Sequence, residues 1–194
     1  MKLEKLFGSK AKADIIKYLV FRRQGISMRA FEHELQRSFP AIKKQIDLLE
    51  EAGVVTIDKQ DAKWSVTLDP VVEEDIKRLL VWSLKYDLRC YFTEQEFLLS
   101  RHFFGKLFGN PLDQDLVLIY EADAVDFLSK IKEDINEVFR SYLIEAVSIV
   151  LMSASDFDKR YRLADKFVLS LIRNVKKNDQ STSSLRTNPS ERSR

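Results

Sequence analysis

Cysteine is nearly absent: Cys90 is the single one in 194 residues. The chain therefore forms no internal disulfide and assembles no thiolate metal cluster by itself, which suits a reducing compartment. Flanked by Tyr91 and Phe92, Cys90 is expected to pack in a core. Histidine is as scarce, and His33 and His102 stand too far apart in sequence to suggest a ligand set. No run approaches the roughly 20 apolar residues of a membrane span, and MKLEKLFGSKAK has no apolar stretch of signal-peptide length. Neither insertion nor export is expected, and the expected location is the cytoplasm. No internal repeat is visible.

What the chain does contain is core-forming and charged material, at 45% hydrophobic and 32% charged residues, enough for one compact domain or two small ones. The net charge of +2 is unevenly spread. Residues 1–68 hold 13 Lys and Arg against 9 Asp and Glu, residues 69–175 hold 14 against 19, and residues 176–194 hold 5 against 2. A basic first third beside an acidic middle suits a nucleic-acid-binding module joined to a domain that does not bind nucleic acid.

Hydrophobic spacing divides the first third clearly. Ser9 caps a helix in which Ile15, Ile16, Leu19 and Val20 recur at helical intervals up to Phe21, and Met28 to Leu35 forms a short second helix with Phe31 and Leu35 inward. A third helix begins at the N-cap Ser38, carries Pro40 in its first turn, buries Ile42, Ile46 and Leu49, and ends before Gly53. VVTID and KWSVTL then alternate as two strands about the turn Lys59-Gln60-Asp61-Ala62. Three helices and a hairpin within about 60 residues are the order of a winged helix.

SFPAIKKQIDLLEEAG, followed by VVTID and a basic turn, resembles the recognition helix and wing of arsenic-repressor-like and multiple-antibiotic-resistance-repressor-like winged-helix regulators, and LFGSKAKADIIKYLV resembles their first helix. The resemblance spans about residues 6–68. It implies a DNA-binding transcriptional regulator, expected to act as a repressor, whose third helix enters the major groove while the wing touches flanking phosphates. The residues expected at double-stranded DNA are Arg37, Ser38, Ala41, Lys43, Lys44 and Gln45 on and before that helix, with Lys59 and Lys63 on the wing. Two half-sites call for two copies, so a homodimer is expected.

Beyond Asp69-Pro70, a connector helix from Val71 to about Leu88 carries the stripe Val72, Ile76, Leu79, Leu80 and Leu84, the expected dimer face. EFLLSRHFF reads as helix or strand, DLVLIY and EAVSIVLM as strands, and Ala124 to Phe139 and Ser155 to Arg173 as helices, together a small α/β layer. Within it, the run from Phe104 to Leu116 resembles the signature of minimal nucleotidyltransferases, with Gly105 at the phosphate turn and Asp113 and Asp115 at the spacing of their magnesium-binding carboxylates. Three departures argue against catalysis: Lys106 stands where that family has serine, the loop from Lys106 to Asp113 is short, and Glu145 is the one candidate for a third carboxylate.

The expected architecture is therefore α+β: a winged helix over residues 1–69, a connector helix over 70–92, a small α/β domain resembling a decayed nucleotidyltransferase over 93–177, and a disordered tail over 178–194. No catalytic residue, metal or cofactor is expected, and Asp113 and Asp115 remain weak metal candidates. The rival readings are a nucleotide-transferring enzyme with a winged-helix adaptor and a winged-helix module that binds protein.

Overall fold

The computed structural model describes residues 3–59 and 64–173, with the side chains of Asp123 and Ala124 excepted. The hairpin turn at 60–62, Lys63 and the tail 178–194 lie outside the described residues. The chain is mixed α and β. It divides into two compact units, one made of the described residues within Met1–Tyr91 and Lys130–Ala146, the other of those within Phe92–Ser129 and Val147–Arg194.

The first unit opens with the single turn α1 (Leu3–Leu6), then α2 (Lys10–Phe21), β1 (Ile26–Ser27), α3 (Met28–Glu34) and α4 (Phe39–Glu51). Serine caps fix two of these starts: Ser9 accepts from the Lys12 amide and Ser27 from the Ala30 amide. β2 (Val55–Asp58) and β3 (Ser65–Leu68) pair antiparallel, with Val55 opposite Leu68, and β1 joins the far side of β3, with Ile26 opposite Val66. Alternation along β3 buries Val66 and Leu68 against a core of Ile15, Ile16, Leu19, Phe31, Ile42, Ile46 and Leu49. Tyr18 meets Phe31 edge to face at 5.3 Å.

α5 (Glu73–Glu94) outruns the expected helix by six residues, and its buried line is Leu80, Ser83, Leu84 and Leu88. Leu80 and Leu84 are completely covered within the chain, whereas Val72, Ile76 and Leu79 are half-buried. Cys90 is exposed, not packed as its aromatic neighbours in sequence suggested, because it falls off that buried line.

The unexpected member of the first unit is α6 (Leu128–Ser141), which turns Ile131, Ile135 and Phe139 inward. Tyr142, just beyond its end, is buried; its hydroxyl shares a hydrogen bond with buried Ser83 at 2.7 Å and donates to Asp87 Oδ2 at 2.6 Å. Burial first, and the Asp87 bond second, push its ionisation well above the ordinary tyrosine value. Tyr91 Oη donates to Asp134 at 3.1 Å, a second tie between α5 and α6. From α2, Lys17 Nζ donates to the Ser141 carbonyl at 2.7 Å and lies 4.9 Å above the Tyr142 ring, and burial depresses its pKa. Arg22 Nε donates to the Leu143 carbonyl at 2.7 Å, and its guanidinium pairs with Glu145.

The second unit holds a three-stranded sheet in the order β4-β5-β6. β4 (Leu99–Phe104) is antiparallel to β5 (Leu116–Tyr120), and β5 is parallel to β6 (Ile149–Ser153). EFLLSRHFF thus resolves as a turn followed by a strand. α7 (Ala154–Arg162) and α8 (residues 166–173) cover one face through Phe157, Val168 and Leu171, which meet Phe103, Val117, Ile119 and Met152. The expected single helix from Ser155 to Arg173 is broken because Ala164 turns left-handed (φ +53°) and the Asp165 carboxylate captures the amides of Phe167 and Val168. Among the described residues no helix is long and apolar enough to cross a membrane.

Tyr142→Phe leaves the buried Ser83 hydroxyl and the Asp87 carboxylate without their shared partner, and is expected to cost about 1–3 kcal/mol in urea unfolding. A tyrosine pKa raised by folding stabilises fully below the ordinary value of 10.0 and loses that contribution as pH rises toward the folded value. The wild type should therefore lose stability above that pH faster than Tyr142→Phe. A fragment ending at Tyr91 lacks Lys130–Ala146 and should melt at a lower temperature than the full chain, measured by circular dichroism.

Candidate functional site

α4 is held in place by its ends and by one face. Ser38 has extended backbone angles (φ −62°, ψ 144°) and Pro40 sits in the first turn, while Gly53 follows the C-cap Ala52 in the left-handed region (φ +68°) that a side chain would strain. Ile42, Ile46 and Leu49 are buried. The opposite arc carries Pro40, Ala41, Lys44, Leu48 and Glu51, all exposed. Ser38 caps by backbone geometry alone: its hydroxyl makes no capping bond and remains exposed at the head of this arc.

The eight residues expected at DNA do not share one environment. Ser38, Ala41 and Lys44 are exposed on the outer arc, and Lys44 has no ion pair with a described residue. Lys43 is half-exposed and bound to Asp47 one turn on, Nζ to Oδ2 at 2.6 Å. Gln45 is turned inward: its Oε1 accepts from Ser9 Oγ at 3.1 Å, tying α4 to the start of α2. Arg37 is likewise a structural residue, with its guanidinium 3.0 Å from Asp14 and its Nε buried. Both ties escape the sequence for one reason: the partners of Arg37 and Gln45 lie 23 and 36 residues away, beyond the reach of local spacing.

On the hairpin, Lys59 Nζ stands 5.5 Å from the ring centre of Trp64, itself 42% exposed. In the sequence Trp64 enters only through the alternation of KWSVTL; its signal is an aromatic residue beside a cationic turn. Thr56 and Thr67 hydroxyls meet at 2.8 Å across the exposed side of the hairpin. Lys63 lies outside the described residues.

Comparison with family profiles, curated proteins and solved structures gives no match to this chain. The chemistry of each site is therefore read from its own geometry.

The nucleotidyltransferase-like run folds around its own backbone. Gly105 N donates to the Asp115 carbonyl at 2.8 Å and Lys106 N to the Gln114 carbonyl at 3.0 Å, after which Lys106–Phe108 forms a 3-10 turn. A Cβ on Gly105 would fall 1.8 Å from the Gln114 oxygen, so glycine is required for that approach. Asp115 Oδ1 accepts from the Leu107 amide at 3.3 Å and Oδ2 from the Ser148 amide at 3.0 Å, which locks the turn to the strand before β6. Asp113 is exposed, so the two carboxylates occupy different environments. Among the described residues no three His, Cys, Asp or Glu converge on a metal position. Glu145, the third carboxylate weighed from the sequence, is paired with Arg22 in the first unit.

These roles separate two aspartates that look alike in sequence. Asp115→Ala removes the acceptor of two backbone amides, one half-buried and one exposed, and is expected to cost about 1–1.5 kcal/mol, against about 0.5 kcal/mol or less for exposed Asp113→Ala. Gly105→Ala drives a methyl into backbone and should destabilise more than Asp113→Ala does. Urea midpoints of the three variants check the order.

Proposed function

We propose that the first unit is a winged helix-turn-helix that binds double-stranded DNA, and that the chain is a transcriptional regulator, acting as a repressor in the cytoplasm. The observation that carries this reading is the division of α4: Ile42, Ile46 and Leu49 close the three-helix core, and Ser38, Ala41 and Lys44 remain on an open arc. A helix so presented fits the major groove of B-form DNA, with its N-terminal residues nearest the base edges. The small side chain of Ala41 suits close approach. The hairpin supports the reading, since the order α2, β1, α3, α4, β2, β3 with β1 beside β3 is that of a winged helix. Lys59 beside Trp64 supplies the wing with a positioned cation for a phosphate.

Within this proposal Lys44 is the principal reading residue and Lys59 a phosphate contact. Lys43 is restrained by Asp47, while Arg37 and Gln45 act indirectly by fixing the pose of α4. Repression follows from occupying a promoter and needs no catalytic group.

The test is a titration of labelled genomic DNA fragments at several salt concentrations. Lys44→Ala should weaken binding by about 1–3 kcal/mol and relax sequence preference if it reads a base edge, and Lys59→Ala should lower the salt slope by about 1 with preference unchanged. Asp47→Ala releases Lys43 and removes a negative charge, so it should tighten binding. Equal affinities for wild type and Lys44→Ala at every salt concentration would overturn α4 as the reading element, and no binding even at low salt would overturn the function.

A further inference from the structure

The sheet of the second unit ends on two edges that differ in kind. β4 carries a register irregularity between Leu99 and Arg101 and presents charged Arg101, both features that discourage a further strand. β6, the other edge, has neither. Its sequence Ile-Val-Leu-Met-Ser is apolar and β-branched at its start, its register with β5 is unbroken, and the nine residues from Val147 to Ser155 include no charge and no proline. Ile149, Val150 and Leu151 are only half-buried.

The outer side of β6 is also defined in its backbone. Ser148 N donates to Asp115 Oδ2 and its carbonyl accepts from Leu116, so both polar groups of Ser148 face β5. Alternation along a strand turns Val150 and Met152 the same way and sends the N–H and C=O of Ile149 and Leu151 outward. No described residue bonds to those outward groups. The side chains alternate as well: Val150 and Met152 pack into the core with Phe157 and Val168, which leaves Ile149 and Leu151 on the other face.

We propose that β6 pairs antiparallel with β6 of a second copy across a two-fold axis at Val150, joining the two sheets into one of six strands. In that register Ile149 lies opposite Leu151 of the second copy, each such pair exchanging both backbone bonds, and the side chains of the pair meet on one face. The edge is its own complement, as a two-fold contact demands. The flanks stay compatible, because in that register Val147 falls opposite Ser153 and no residue from Val147 to Ser153 carries a charge. A second copy is favoured over a foreign partner because an uncharged strand offers nothing to select one by charge. The stripe expected on α5 offers less to a second copy, since Leu80 and Leu84 are already fully covered within the chain and Val72, Ile76 and Leu79 are half-buried. Pairing through β6 supplies the second reading head that two half-sites require, yet it rests on the edge alone, and its test uses no DNA.

The test is sedimentation of the full chain over a micromolar to high-micromolar range. Wild type should rise from 22.7 kDa to twice that mass. Leu151→Lys and Ile149→Lys should remain monomeric while keeping the wild-type helical signal by circular dichroism. Residue-resolved hydrogen exchange on wild type needs no variant. The amides of Ile149 and Leu151 should become protected as concentration rises, while those of Val150 and Met152 stay protected throughout. A wild type that is monomeric at every concentration overturns the proposal. So does a dimer whose Ile149 and Leu151 amides exchange freely, or one abolished by replacing the exposed α5 residue Trp82 with alanine but not by either lysine. Dimerisation that emerges only after residues 178–194 are deleted overturns it too, since the tail then covers the edge.

Discussion

The first unit depends on a tyrosine hydroxyl. Tyr142 follows a helix that begins sixty residues after the hairpin ends, yet its ring lies under Lys17 and its hydroxyl bonds Ser83 and Asp87. Ser83 is the only fully buried polar side chain among the described residues, so its satisfaction is obligatory, not decorative. A net hydrogen bond stabilises by about 1 kcal/mol, whereas an orphaned buried hydroxyl costs more, and this asymmetry makes the junction specific for one docking of α6 on α5. The chain then takes a left-handed residue at Leu143 (φ +63°), an unfavourable conformation for a bulky side chain, held by the Arg22 bond to its carbonyl.

This junction bears on how α4 is presented. On the proposed reading, α4 must be held rigidly against its neighbours, because a misplaced contact loses much of its selectivity. α4 is tied to α2 by apolar packing, by Ser9 to Gln45, and through Arg37 and Asp14 at its approach. α2 in turn is gripped at Lys17 and Arg22 by the segment after α6. Two residues with the chemistry to touch DNA, Arg37 and Gln45, are spent on this support. If α4 meets DNA as proposed, sequence selection rests on few contacts, with Lys44, unpaired among the described residues, at the centre of the arc, and each phosphate contact counts for nearly a unit of salt slope.

Much of the first unit was legible in the sequence, because helix caps and apolar periods are local. Ser9, Pro40 and Gly53 mark real ends, and Ile42, Ile46 and Leu49 are buried as their spacing required. The hairpin strands are where the alternation placed them. What the sequence hid is long-range. Nothing near Tyr142 announces Ser83, nothing near Gln45 announces Ser9, and α6 therefore looked like part of the unit that surrounds it in sequence. The break at Ala164 was missed for a different reason: Leu163-Ala164 favours helix by propensity, and the Asp165 carboxylate overrides it by capping the next one. On the candidate site, exposure of Ser38, Ala41 and Lys44 followed from periodicity, whereas the pairing of Arg37 did not.

The run from Gly105 to Asp115 teaches the same lesson about chemistry. A glycine turn and two alternating carboxylates invite a reading in terms of phosphate and metal, yet here each residue has a geometric duty. The Gly105 and Lys106 amides, which a phosphate cradle would need free, are bonded to the strand they face. The carboxylate of Asp115 does for the Leu107 and Ser148 amides what a strand partner would do, because the chain there turns away from regular pairing. Removing either duty would loosen the turn whether or not a ligand ever bound. Residue types suited to catalysis are also suited to closing a tight backbone junction, and the two uses are told apart by whether the polar atoms face an open site or one another. Here they face one another, which is why this part of the chain is better understood as the clasp that sets β6 beside β5.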